Sequence, residues 1–201
     1  PQVTYRESIS TAADYKEEFS KVLAGKENAA CLTIHIEPRE TGAGNSYTCA
    51  VHDNSIPKEI YEAIEQSIQS CFTSGIRMGY PCTDIAVSVT DIKYDELTAS
   101  TFAFEAAAAE AFDKACESAT PELLEPVMEV DIECPSEFVG DAMSQITQRG
   151  GMIVSMDEKS GESVIHAKAP MAKMFGFSTN LRSVTQGRAS FGMVFSHFQV
   201  K

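Results

Sequence analysis

The chain has 201 residues, 43% of them hydrophobic and 22% charged, an ordinary composition for one large or two small globular domains. Its formal net charge of -13 argues against non-specific nucleic-acid binding, which needs a basic surface, while leaving room for a local basic patch. No run of about 18 apolar residues is present, so no membrane-spanning helix is expected.

The sequence opens on Pro1-Gln2-Val3 with no Met and no charged-then-apolar leader, and reads as a piece of a longer polypeptide. Cys31-Leu-Thr-Ile-His-Ile-Glu37 alternates, with Leu32, Ile34 and Ile36 on one face, and predicts a half-buried strand. Residues 41–46 form a Gly-rich loop, with Gly42 and Gly44 marking a turn rather than a phosphate cradle. Pro57 opens a helix carrying Ile60, Ile64 and Ile68 on one face, ending near Gly75. Ile85, Val87 and Val89 predict a second strand, and Ala-rich Ser100 to Cys116 a helix anchored by Phe102 and Phe112. Pro121 and Pro126 then interrupt regular structure, which places a domain boundary there.

The second half reads as a strand over 127–132, a helix from Pro135 to Arg149 stopped by Gly150-Gly151, and a strand over 152–156. A turn at 159–161, a strand over 163–169, a helix from Pro170 through Met174 and a strand over 189–197 follow. That order, βαββαβ, is the ferredoxin-like plan, with both helices on one face of a four-stranded antiparallel sheet.

Chemistry-bearing motifs are sparse. No Gly-x-x-x-x-Gly-Lys-Ser/Thr loop is present, so this chain is expected to lack a nucleotide site of that type. The four histidines, His35, His52, His166 and His197, fall on separate elements with no metal spacing. The six cysteines include no Cys-x-x-Cys pair and read as reduced thiols of a cytoplasmic protein rather than zinc ligands. Asp91, Asp95 and Glu96 read as a solvated loop rather than a catalytic carboxylate pair. No catalytic and no metal-binding residue is expected.

The stretch Met174-Phe-Gly-Phe-Ser-Thr-Asn-Leu-Arg-Ser-Val-Thr-Gln-Gly-Arg-Ala-Ser190 closely resembles a signature of elongation factor G, through its Phe-Gly-aromatic, Leu-Arg-Ser and Thr-Gln-Gly-Arg steps. Leu124-Glu-Pro126, Pro135-Ser-Glu-Phe-Val-Gly-Asp141 and Arg149-Gly-Gly151 resemble the same family, as do Pro1-Gln-Val-Thr-Tyr-Arg-Glu7 and Ile56-Pro-Lys-Glu59 upstream. The resemblance runs over essentially the whole chain. It implies an α+β protein of two domains. Residues 1–120 would be the family's fourth domain, an α/β sandwich related to a small-subunit ribosomal protein domain, with a left-handed βαβ crossover. Residues 121–201 would be the fifth, the ferredoxin-like domain.

The function implied is the ribosome-binding C-terminal half of a translational GTPase that drives GTP-dependent ribosomal translocation. The implied partners are ribosomal RNA, transfer RNA and messenger at the tip, and the protein's own N-terminal GTPase domains, with no membrane partner. No cofactor is implied for this chain, since GTP and Mg belong to the parent's N-terminal domain. Enzymatic activity is expected in the parent and not here.

Two loops at the far tip of the fourth domain carry the family's contact with transfer RNA and messenger. The first is Gly-rich in the family. Here it reads Ala24-Gly-Lys-Glu-Asn-Ala29, which makes Gly25, Lys26, Glu27 and Asn28 candidates, with Glu27 set unfavourably against phosphate. The second reads Asp95-Glu-Leu-Thr-Ala-Ser100, with Asp95 in place of a family His and Glu96 beside it. Both loops have lost donor or close-approach chemistry. That leaves two readings: drift in a working translocase, or a paralogue specialised for ribosome recycling or another ribosome-binding role. A stand-alone binding module is a third. In the fifth domain Arg149, Lys173, Arg182 and Arg188 are the candidate RNA-phosphate contacts. Contact is favoured for Arg188, and tying down the segment before the last strand for Arg182.

Overall fold

The computed structural model describes residues 3–201, and its contacts divide them into two compact units. The first is Arg6–Leu123; the second is Leu124–Lys201 together with the residues up to Tyr5. Pro1 and Gln2, part of one motif that carries the resemblance, lie outside the described residues.

The first unit contains β1 (Arg6–Ile9), β2 (Ala13–Leu23), β3 (Lys26–Pro38), β4 (Ser46–Cys49), α1 (Lys58–Ser74), β5 (Ile85–Lys93) and α2 (Thr101–Ser118). Four strands form a sheet in the order β2-β3-β5-β4. β2 with β3 and β3 with β5 are antiparallel, while β4 and β5, joined through α1, are parallel. Leu32, Ile34 and Ile36 of β3 and Ile85, Val87 and Val89 of β5 are all buried. They meet Ile60, Ile64 and Ile68 of α1 and the alanines of α2 in one core. Five alanines of α2 are fully buried, and their small side chains let the helix lie close to the sheet.

The expected anchor Phe102 is exposed at the helix start, with its ring edge on Phe19. Phe104, two residues on, is the fully buried ring, along with Phe112. Three strands escaped the sequence reading. β1 and β4 are each only four residues long. On β2 the inward positions are Ala13, Tyr15, Glu17 and Phe19, and the charged Glu17 among them hides the alternation.

The second unit contains β6 (Pro121–Pro135, whose first three residues count with the first unit), α3 (Val139–Thr147), β7 (Met152–Lys159), β8 (Glu162–Pro170), α4 (Phe177–Val184) and β9 (Ser190–Val200). β6 pairs with β8 and β9, and β7 with β8, all antiparallel. The resulting order β9-β6-β8-β7 is that of the ferredoxin-like plan. Val130, Ile132 and Cys134 of β6 and Ile165, Ala167 and Ala169 of β8 face Ala142, Ile146, Phe177 and Leu181 of the helices.

Two expectations need correcting. Pro121 and Pro126 do not break regular structure: β6 runs through both. Pairing with β8 begins only at Val127, so on that side the missing N–H of Pro126 is not required. The helix expected from Pro170 is a single 3-10 turn, Met171–Lys173. Gly176, at φ 78°, breaks the chain there, and α4 starts one residue later. The Phe-Gly step is therefore the turn that leads into the helix.

Candidate functional site

The first tip segment is not a loop over residues 24–29. The β2–β3 register closes at Leu23↔Lys26, so only Ala24 and Gly25 turn, at φ 50° and 77°. Two consecutive residues with positive φ are the conditions of a type I′ hairpin turn, whose twist matches that of the strands it joins. Lys26, Glu27 and Asn28 already belong to β3. The Glu27 carboxylate accepts the Ser20 hydroxyl across the hairpin at 2.9 Å, and the Asn28 side-chain amide donates to the Lys26 carbonyl.

The second tip segment is a loop between β5 and α2. Asp95 lies at its root rather than pointing a free carboxylate outward. Its Oδ1 accepts the Leu97 N–H at 3.0 Å, and its carbonyl accepts from Thr98 and Ala99. This is an Asx-turn. The Ser100 hydroxyl then caps α2 by accepting the Ala103 N–H. The Ala29 N–H donates to the Thr98 carbonyl at 2.9 Å, which fastens the two tip segments together. Glu96 is exposed, and Leu97 beside it is 77% exposed.

In the second unit the candidate cations divide. Arg149 donates through one guanidinium nitrogen to the carbonyls of Lys173 (2.7 Å) and Phe175 (2.8 Å), with its guanidinium carbon 5.5 Å from the Phe177 ring centroid. It ties down the turn before α4. Arg188 pairs with Glu137 at 2.8 Å and lies over the Phe138 ring. Arg182 and Lys173 are exposed, and neither side chain has a protein partner among the described residues. Against the expectation that Arg182 ties down this segment, Arg188 is the one engaged with protein, and Arg182 has no protein partner among the described residues. Thr185, wholly buried, gives its hydroxyl proton to the Leu181 carbonyl at 2.7 Å. With the backbone bonds Gly187 N–H to Arg182 O and Arg188 N–H to Thr185 O, it holds the irregular segment.

Sequence reasoning missed Phe175. Its ring is 48% exposed, beside Lys173 and on the turn that Arg149 holds. The available signal was its place next to Gly176, where a tight turn throws one side chain outward.

Six thiols are free, and burial pushes the Cys71 and Cys82 thiols up to about 11 and about 12. Among the described residues no group of three His, Cys, Asp or Glu is placed to hold a metal ion. Among the described residues no helix is long and apolar enough to cross a membrane.

A parallel-and-antiparallel sheet under two helices, followed by a ferredoxin-like unit, defines a two-domain α+β protein. The domain IV model of elongation factor G matches residues 1–120, and the model of the elongation factor G C-terminus matches residues 122–201. The chain belongs to the elongation factor G family. Among its relatives, elongation factor G 1 of Treponema denticola is 59% identical over 100% of this chain and 31% of that protein. Elongation factor G 2 of Treponema pallidum is 47% identical over 99% of this chain and 30% of that protein. A crystal structure of a protein from Thermus thermophilus superposes with a TM-score of 0.89 at 30% identity, covering 100% of this chain and 30% of that one. The chain therefore spans about a third of the length of the relatives it matches.

Proposed function

We propose that this chain is the ribosome-binding C-terminal part of a translational GTPase that acts in ribosomal translocation in the cytoplasm. In this reading the two fastened tip segments meet transfer RNA and messenger, and the face around α4 meets ribosomal RNA. The parent's N-terminal domains bind GTP and Mg, and this chain neither binds nor hydrolyses GTP. Its partners are the ribosome and those domains; no membrane is involved.

The observation that carries the RNA contact is the distribution of charge. Residues 163–201 contain no Asp or Glu, yet include Lys168, Lys173, Arg182, Arg188 and Lys201. All 29 acidic residues lie in the preceding 162. An acid-free stretch in so acidic a chain offers phosphate a local approach that the net charge conceals. Free Arg182 and Lys173 supply the cations, and exposed Phe175 supplies a face on which a base stacks. No comparison favours the specialised paralogue.

The test measures binding of the 201-residue chain to vacant ribosomes over a range of salt, for wild type, Arg182→Ala and Lys173→Ala. Each variant should weaken binding and flatten the dependence of log K on log salt, by roughly 0.7–0.9 per lost phosphate contact. Variants that bind like wild type at every salt concentration would remove the contact from this face.

A further inference from the structure

The turn that carries Lys173 and Phe175 depends on a side chain to satisfy its backbone. After the 3-10 turn Met171–Lys173, the Met174 N–H donates to the Met171 carbonyl, the Phe177 N–H to the Met174 carbonyl and the Asn180 N–H to the Gly176 carbonyl. Among the described residues no backbone N–H reaches the carbonyls of Lys173 or Phe175. Both accept instead from Arg149 Nη1, at 2.7 and 2.8 Å. One guanidinium nitrogen thus bridges two peptide groups of the same turn.

The bridge has fixed footings. Arg149 follows α3, with its own N–H bonded to the Ile146 carbonyl. At Gly151 a Cβ would come within 2.6 Å of the Ile146 side chain, so the chain there packs hard against α3. The guanidinium lies over the Phe177 ring, which is buried and set edge-on to Phe191 with centroids 4.9 Å apart. No carboxylate pairs with Arg149 among the described residues. Of the turn's own side chains Met174 is buried, while Lys173 and Phe175 are exposed. Gly176 has open space where a Cβ would stand, so it serves the backbone conformation alone. The freedom that a glycine brings to the turn is what the guanidinium removes.

We propose that Arg149 is a positioning residue for RNA: it holds Lys173 and Phe175 as one preorganised platform without touching the nucleic acid itself. This rests on the reading that the face around α4 meets ribosomal RNA. A cation and a ring presented from one rigid turn reach a phosphate and a base together, with the turn ordered before the RNA arrives. In a loose turn that ordering would oppose each contact.

The experiment has two arms, both on the whole chain. In the first, amide exchange is followed in the free protein. Arg149→Ala should speed exchange of the Met174 and Phe177 amides at least about tenfold, as loss of charge-assisted hydrogen bonds implies, and leave the interior of α3 protected. Unchanged Met174 and Phe177 amides, or equal loss in α3, would overturn the positioning role. In the second arm, binding to vacant ribosomes is measured for Arg149→Ala, for Lys173→Ala combined with Phe175→Ala, and for the triple variant. Arg149→Ala should weaken wild-type binding at least about twofold and have no further effect once Lys173 and Phe175 are alanine. An Arg149 that touches phosphate would weaken the double variant as well and flatten its salt dependence by roughly 0.7–0.9. That result, or an Arg149→Ala chain that binds like wild type, would overturn the platform alone. A wild-type chain that binds no ribosomes would overturn the ribosome reading and the platform with it.

Discussion

At the scale of single residues, buried Glu7 is held by three backbone donors. Its carboxylate accepts the backbone N–H groups of Arg77 (2.7 Å), Met78 (3.1 Å) and Tyr80 (2.9 Å), closing the loop that follows α1. Glu7→Gln would turn an amide N–H toward three donors, and should cost about 1–3 kcal/mol in chemical denaturation. Gly75, at φ 86°, has no room for a Cβ, which would meet the Tyr80 carbonyl and come within 2.6 Å of the Glu7 carboxylate. Gly75→Ala should cost at least as much, measured in the same way. On the open face of the second sheet, His166 lies between Asp131 (2.7 Å) and Asp157 (3.2 Å) and joins three strands. Those carboxylates, Asp131 foremost, raise its pKa. A histidine raised on folding stabilises the fold fully below its unfolded pKa, and the gain disappears as pH rises through the folded value. The melting temperature of wild type relative to His166→Gln should therefore fall across that window, and a constant difference would refute the linkage.

At the scale of elements, the β2–β3 turn is built on an imperfect residue. Ala24 occupies the left-handed region, where Asn is much better tolerated, and Asn-Gly is the favoured pair for this turn. Ala24→Asn should stabilise the chain by roughly 0.5–1 kcal/mol, read from the urea midpoint. The same element shows where the sequence was legible. Ile60, Ile64 and Ile68, and the alternations at 32–36 and 85–89, have uninterrupted periods, and their elements fall where the periods place them. β2 was hidden because a charge sits at an inward position, a choice that makes sense only once Lys114 is seen opposite. The tip candidates were found by motif, but a motif does not say which residues turn. Lys26, Glu27 and Asn28 pair as strand because the two-residue turn leaves no loop for them. Arg149 and Arg188 were indistinguishable from Arg182 in sequence, since the carbonyls and the carboxylate that engage two of them are distant along the chain.

At the scale of the whole molecule, the two cores share no residue: one draws on Ile9 through Ala119, the other on Val130 through Leu181. Ile146→Ala, at a fully buried position of α3, should destabilise the second unit by about 2–5 kcal/mol. Hydrogen exchange should show that loss in α3, α4 and β6–β9 and leave α1 and α2 unchanged; equal loss in both would mean that the units unfold as one. The long β2–β3 hairpin also has a consequence for the order of assembly. Eleven successive pairs, from Leu23↔Lys26 outward to Ala13↔Ile36, are reached from a two-residue turn, so each new pair closes only a short additional stretch of chain. β4 and β5, by contrast, meet only after the whole of α1 lies between them. Local pairs form before distant ones when closure entropy governs the rate. Pulse-labelled amides of the hairpin should gain protection ahead of those in β4, making the turn at Ala24-Gly25 the place where folding of this unit starts.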